Sequence, residues 1–186
     1  MTAILNPGGR VLRYSAPSKW LHWIVAVSVI LLIPEGLTMK RLLPEGEIRD
    51  TLYFLHEATG ALVLIVMVVR LATRWRFGAP PPPESLTPLE RRASLSAQVS
   101  LYVLLFITPV LGWAATNAYG EAVSVFGLFD FPTLLGKNEP LSVEIFTWHL
   151  VVGLFIAAIA GLHISGALYH RLVKRDQVLA RMLPQD

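Results

Sequence analysis

Cysteine is absent from this 186-residue chain. Its absence excludes disulfides, iron–sulfur clusters held by thiolates and covalent attachment of a c-type haem. Charge is scarce as well: Asp, Glu, Lys and Arg make up 16% of the residues, against about 25% in a soluble domain. Hydrophobic residues reach 54%, so lipid is the expected solvent for much of the surface. No internal repeat occurs, and the one low-complexity tract is Pro80-Pro81-Pro82-Pro83. The pI near 9.4 invites comparison with nucleic-acid binders. The basic residues flank apolar runs instead of forming a stripe, so no nucleic-acid partner is expected.

What the chain does contain is four apolar runs, at 17–39, 51–73, 93–117 and 144–170. Each is long enough to cross a bilayer, which takes about 20 residues. The expected fold is an all-α membrane protein, a four-transmembrane-helix bundle forming a single domain over 1–186. The start, from Arg10 to Lys19 into the first run, superficially resembles a signal peptide. Its apolar segment is too long and no small-residue cleavage site follows, so it reads as an uncleaved span. Pro44-Glu45-Gly46 marks a short polar turn after the first run, and the proline tract is a stiff connector after the second. The longest connection, 119–143, mixes Phe126, Phe129 and Phe131 with Gly127 and Pro132, as an interfacial segment lying on the membrane would.

Lys and Arg divide unevenly between the two sides. Arg10, Arg13, Lys19, Arg70, Arg74, Arg76, Arg91, Arg92, Arg171, Lys174, Arg175 and Arg181 fall on one side; Lys40, Arg41, Arg49 and Lys137 fall on the other. By the positive-inside rule both termini are cytoplasmic.

That topology places the histidines. His149 and His163 are fourteen residues apart in the fourth run, an advance of about 21 Å that returns to within roughly 40° of the same face. His56, near the start of the second span, matches His149 in depth at the outer side. His22, near the start of the first, matches His163 toward the cytoplasm. Four imidazoles on three spans thus form two pairs, the axial ligand sets of two b-type haems stacked across the bilayer, with His22, His56, His149 and His163 binding the iron. Gly60 and Gly153 each follow a ligand by four residues, on its face and one turn deeper, where a missing side chain leaves room for a macrocycle. Ala160, Gly166 and Ala167 offer the same near His163. Small residues also let membrane helices approach one another, and intramembrane histidines also serve as hydrogen-bonding links or proton relays. Zinc fits less well, because no Asp, Glu or Cys completes a tetrahedral set near either pair.

The chain resembles the bacterial cytochrome b561 family, four-helix dihaem membrane cytochromes that include superoxide oxidase. The matching pieces are Trp20-Leu-His22-Trp23, Leu55-His56-Glu-Ala-Thr-Gly60, Val66-Met-Val-Val-Arg70-Leu, Leu101-Tyr102 through Pro109-Val-Leu-Gly112, Trp148-His149, Gly161-Leu-His163 and Leu179-Ala-Arg181-Met-Leu-Pro184. Their order and spacing cover essentially the whole chain. The resemblance implies two haem b groups on the four histidines, a place in the bacterial inner membrane, and electron exchange with quinone, ubiquinone being the expected acceptor. Gln98 stands where members often carry a histidine, so the third span is expected to supply packing and no iron ligand.

At the cytoplasmic boundary, Arg70 or Arg74 could pair with haem propionates, since guanidinium suits carboxylates. His170, seven residues beyond His163, could join Lys19 and Ser18 in binding a quinone oxygen and delivering protons. Snorkelling basic residues at an interface are the plain alternative. The family makes superoxide the expected donor. The outer side sets four basic residues against Glu45, Glu47, Asp50, Glu121, Asp130, Glu139 and Glu144, a net of −3, which is not the positive funnel that an anion collector gains from. A cytochrome b subunit docking a soluble dehydrogenase or hydrogenase, and a non-redox proton relay or transporter, are the competing expectations.

Overall fold

The computed structural model describes residues 13–183; Arg10 of the charge count and Pro184 of the tail motif lie outside them. Four helices follow in chain order: α1 (Ala16–Arg41), α2 (Glu47–Phe77), α3 (Pro88–Tyr119) and α4 (Glu139–Tyr169). All four are long and apolar enough to cross a membrane. Among the described residues there is no strand, only an isolated antiparallel bridge between Ser124 and Asp130.

Three of the four helices start at a capping side chain, α2 instead following Gly46. Ser15 caps α1 and Asn138 caps α4, each accepting from the backbone N–H three residues on. Thr87 and Glu90 form a reciprocal capping box at the start of α3, with Pro88 at the first position, where proline's missing N–H costs nothing. These caps carry the helices beyond the apolar runs they contain. Pro34 in α1 and Pro109 in α3 lie inside helices, and each removes one backbone hydrogen bond.

Helices pack chiefly on their sequence neighbours, α1 on α2, α2 on α3 and α3 on α4. The contacts are antiparallel: Arg70 near the end of α2 meets His22 near the start of α1. The bundle therefore has a terminal end, where both described chain ends lie, and a far end. Its core layer is Val25, Val63, Met67, Leu105 and Ile156, with all four helices contributing. Ile156 sits midway between His149 and His163 along α4, about 10 Å from each.

The connection between α3 and α4 is non-helical. It is a tight loop turned by Phe126 and Gly127 at φ 53° and 72°, with Val123 and Val125 packed back on Ala61 of α2. Phe131 meets Trp113 edge-on at 4.8 Å. Asn117 pins this loop: its Nδ2 donates to the Glu121 carbonyl at 2.9 Å, and its Oδ1 accepts from the Leu134 N–H at 2.8 Å. The side chain is 3% exposed. Asn117→Ala leaves both backbone groups unpaired and should cost on the order of 2–3 kcal/mol, measured as a lower thermal midpoint in detergent.

At the terminal end α4 runs into a π-helical turn, His170–Lys174, which stops at Arg175 with φ 53°. The chain then folds across the bundle, and the Met182 carbonyl accepts from Trp23 Nε1 at 2.8 Å.

Candidate functional site

Two imidazole pairs occupy the bundle, one at each end. His22 of α1 and His163 of α4 face each other at the terminal end, ring centroids 6.4 Å apart and planes at 75°. His56 of α2 and His149 of α4 do so at the far end, at 6.1 Å and 72°. These are the partners expected from helix depth. A metal–nitrogen bond of about 2.0 Å, with the ring centre about 1.1 Å beyond the nitrogen, puts two imidazoles on opposite sides of one ion about 6.2 Å apart. Among the described residues no three His, Asp or Glu side chains converge to hold a bare ion. Two nitrogens per pair instead suit an iron whose other four ligands belong to a porphyrin.

Edge-to-face aromatic contacts share this distance range, so the surroundings decide. A methyl group at Gly60 or Gly153 would meet nothing within 4 Å, and the same holds at Gly166. None of these glycines marks a close helix contact; Gly60 and Gly153, each one turn from a histidine, are half-buried beside open space, whereas Gly166 is exposed. Other glycines behave oppositely. A Cβ at Gly36 would lie 3.0 Å from His56 Cε1, and one at Gly112 would lie 3.1 Å from His149 Cε1. These two cradle the rings and set their orientation. The donor set and the space beside it fit a haem at each pair.

The rear nitrogens have different partners. His149 Nδ1–H donates to the Thr108 carbonyl at 2.9 Å, which leaves Nε2 as the free nitrogen. The third helix thus supplies an orienting group for His149; Gln98 itself donates to Ser94 Oγ at 2.9 Å. His56 Nδ1 is buried without a hydrogen-bond partner, and Glu35 Oε2 stands 3.6 Å from it. Helix α1 thus brings one carboxylate up behind this pair, short of the tetrahedral set that zinc needs. His22 Nδ1 lies 3.0 Å from Arg70 Nη2. A guanidinium only donates, so this nitrogen accepts. The same guanidinium lies over the Tyr102 ring, 5.0 Å from its centroid.

The terminal-end polar residues divide into separate groups. Ser18, Arg70 and Arg74 line one cleft with Tyr14, Tyr102 and Met182. Lys19 lines a second cleft with Arg13, Gln177 and Arg181. His170 lines neither. It is buried, and its Nδ1 lies 2.6 Å from Asp176 Oδ2. Burial pushes the Asp176 carboxyl up, but hydrogen bonds from the Val178 N–H, His170 and Ser85 outweigh it and hold the group below its ordinary value. Beside this pair Lys174 and Glu90 join α4 to the start of α3 at 2.6 Å. Asp176, Thr108, Glu35, Gly36 and Gly112 all escaped the sequence reading. Only the acid in the apolar stretch of α1 carried a signal that could have flagged it.

Comparison with known proteins agrees with this architecture. The prokaryotic cytochrome b561 family matches residues 13–185. Cytochrome b561 homolog 2 of Escherichia coli (strain K12) is 30% identical, covering 92% of this chain and 91% of its own. A protein named probable superoxide oxidase CybB, from Yersinia pestis, is 25% identical over 93% of this chain and 97% of its own. Cytochrome b562 of Cereibacter sphaeroides is 28% identical, over 88% and 90%. Four apolar helices of this length and a family match spanning nearly every residue lead to one conclusion: the chain belongs to the prokaryotic cytochrome b561 family and is a multi-pass membrane protein whose implied cofactor is haem b.

Proposed function

We propose that the chain is a single-domain dihaem oxidoreductase of the bacterial inner membrane, with both termini cytoplasmic, that carries electrons from the outer face to the quinone pool. The observation that carries this reading is the pair of imidazole separations, 6.4 and 6.1 Å, each suited to one iron. Haem iron with both axial positions filled supplies one-electron transfer without a site for oxygen. His22 and His163 hold the inner group, and His56 and His149 the outer one. Gly60 and Gly153 leave room beside the outer ligands. Iron on His22 Nε2 places a proton on Nδ1, so Arg70 must leave that nitrogen when the site is loaded. The freed guanidinium, with Arg74 one turn on, is then available to the carboxylates of the cofactor.

Quinone, with ubiquinone as the acceptor, is assigned to the terminal end. Ser18 already shares a cleft with Arg70 and Arg74, and Lys19 lies next to it in the first turn of α1. His170, oriented by Asp176, supplies a proton carrier at the same boundary. Superoxide is the donor by analogy with the relative named for that activity. The acidic balance of the opposite side favours a second reading, an electron-carrier subunit that docks a basic soluble redox protein.

The test is a dithionite-reduced visible spectrum with pigment counted per polypeptide, followed by quinone reduction with superoxide or soluble donors. Two haems and superoxide-driven reduction are expected. His170→Ala should keep the spectrum and slow quinone reduction at least about tenfold, in the range typical of a lost proton-transfer group. A colourless preparation ends the haem reading; an unchanged rate in His170→Ala ends the role given to that residue.

A further inference from the structure

Charge is distributed oppositely around the two histidine pairs. At the far end a carboxylate comes up behind His56: Glu35 Oε2 is 3.6 Å from Nδ1, and the two side chains are 18% and 20% exposed. Glu35 is the only acidic residue of α1. It follows Pro34 and precedes Gly36, whose lack of a side chain lets the His56 ring approach to 3.0 Å of where a Cβ would stand. The other ligand of that pair rests on a neutral carbonyl, that of Thr108. At the terminal end a guanidinium stands behind His22 at 3.0 Å. The acids near it are engaged elsewhere, Asp176 with His170 and Glu90 with Lys174.

Resting on the dihaem reading, we infer that Glu35 is a positioning residue for His56 and makes the far-end site the lower in reduction potential, while Arg70, which gives up Nδ1 on loading but stays at the terminal-end site, makes that site the higher. A ferric centre carries one more positive charge than a ferrous one, so an anion behind the ligand favours the oxidised form and a cation disfavours it. A carboxylate behind Nδ1 also polarises the imidazole toward the metal. Coulomb interaction falls with distance, and the histidines of α4 place the two sites about 21 Å apart along the helix axis. Each charge therefore acts mainly on its own site. The resulting order favours electron entry at the far end.

The experiment is a potentiometric titration of the full chain in detergent, followed through the visible bands. Wild type should titrate in two steps. Glu35→Gln, neutral and equal in shape, should raise the lower step and leave the upper one in place; Glu35→Asp, which keeps the charge, should return the lower step toward wild type. A two-step wild type with an unmoved Glu35→Gln, or with its upper step raised, overturns the inference alone. Fewer than two pigments in wild type overturns the dihaem reading beneath it. If Glu35→Gln loses the far-end pigment, Arg70→Gln decides: its upper step must fall, and an unmoved one overturns the inference.

Discussion

On the proposed dihaem reading, a His149→Ala variant should reach the membrane folded and carry about half the haem of wild type, because one of two bis-imidazole sites would be left with a single axial ligand while the other keeps both. His163 lies on the same helix fourteen residues on, about 21 Å away, with its own partner, His22, at 6.4 Å. The effect is therefore confined to one chromophore. Folding should survive, since the substitution removes a single hydrogen bond, from Nδ1 to the Thr108 carbonyl, worth about 1–3 kcal/mol when its partner is left unpaired. The same bond gives the prediction its contrast. Were His149 only a link between α3 and α4, the substitution would cost that stability and leave the spectrum untouched. Pigment counted per polypeptide, beside a thermal melt, separates the two outcomes, and a full complement of haem in the variant would remove His149 from the ligand set.

The histidine pairing was legible in the sequence because helix geometry turns spacing into position. Fourteen residues fix the offset between His149 and His163, and the charge count supplies the expected direction of the other spans. The helices exceed their apolar runs for an equally physical reason. Thr87 and Glu90 close a capping box, and Asn138 caps α4, so polar turns join the helix without joining the span. What stayed hidden depends on packing register. Glu35 reads in sequence as an acid near the end of a span; only the approach of α1 to α2 puts it behind His56. Gly36 and Gly112 lie on helices other than those of the histidines they touch. Thr108 acts through its carbonyl, a group that every residue has. His170 was grouped with Ser18 and Lys19 by depth, and nothing in that grouping foretold its partner Asp176 beyond the π-helical turn.

Gly153 offers the sharpest separation of haem binding from helix packing. Glycine at such a position has two explanations, a close approach of two helices or clearance for a flat ligand, and they respond oppositely to a large side chain. A Cβ at Gly153 meets nothing within 4 Å, so the first carbon added in Gly153→Phe meets open space. Replacing an interior helical glycine also removes a conformational penalty of up to about 1 kcal/mol. The variant protein should consequently fold at least as well as wild type, yet bind about half the haem, since the ring would fill the space one turn deeper than His149. Gly112→Phe provides the comparison. There the first added carbon lies 3.1 Å from His149 Cε1, so the imidazole must turn, and both stability and pigment should fall. If Gly153→Phe instead lowered the thermal midpoint and kept its full spectrum, the space beside His149 would belong to helix packing and not to a macrocycle.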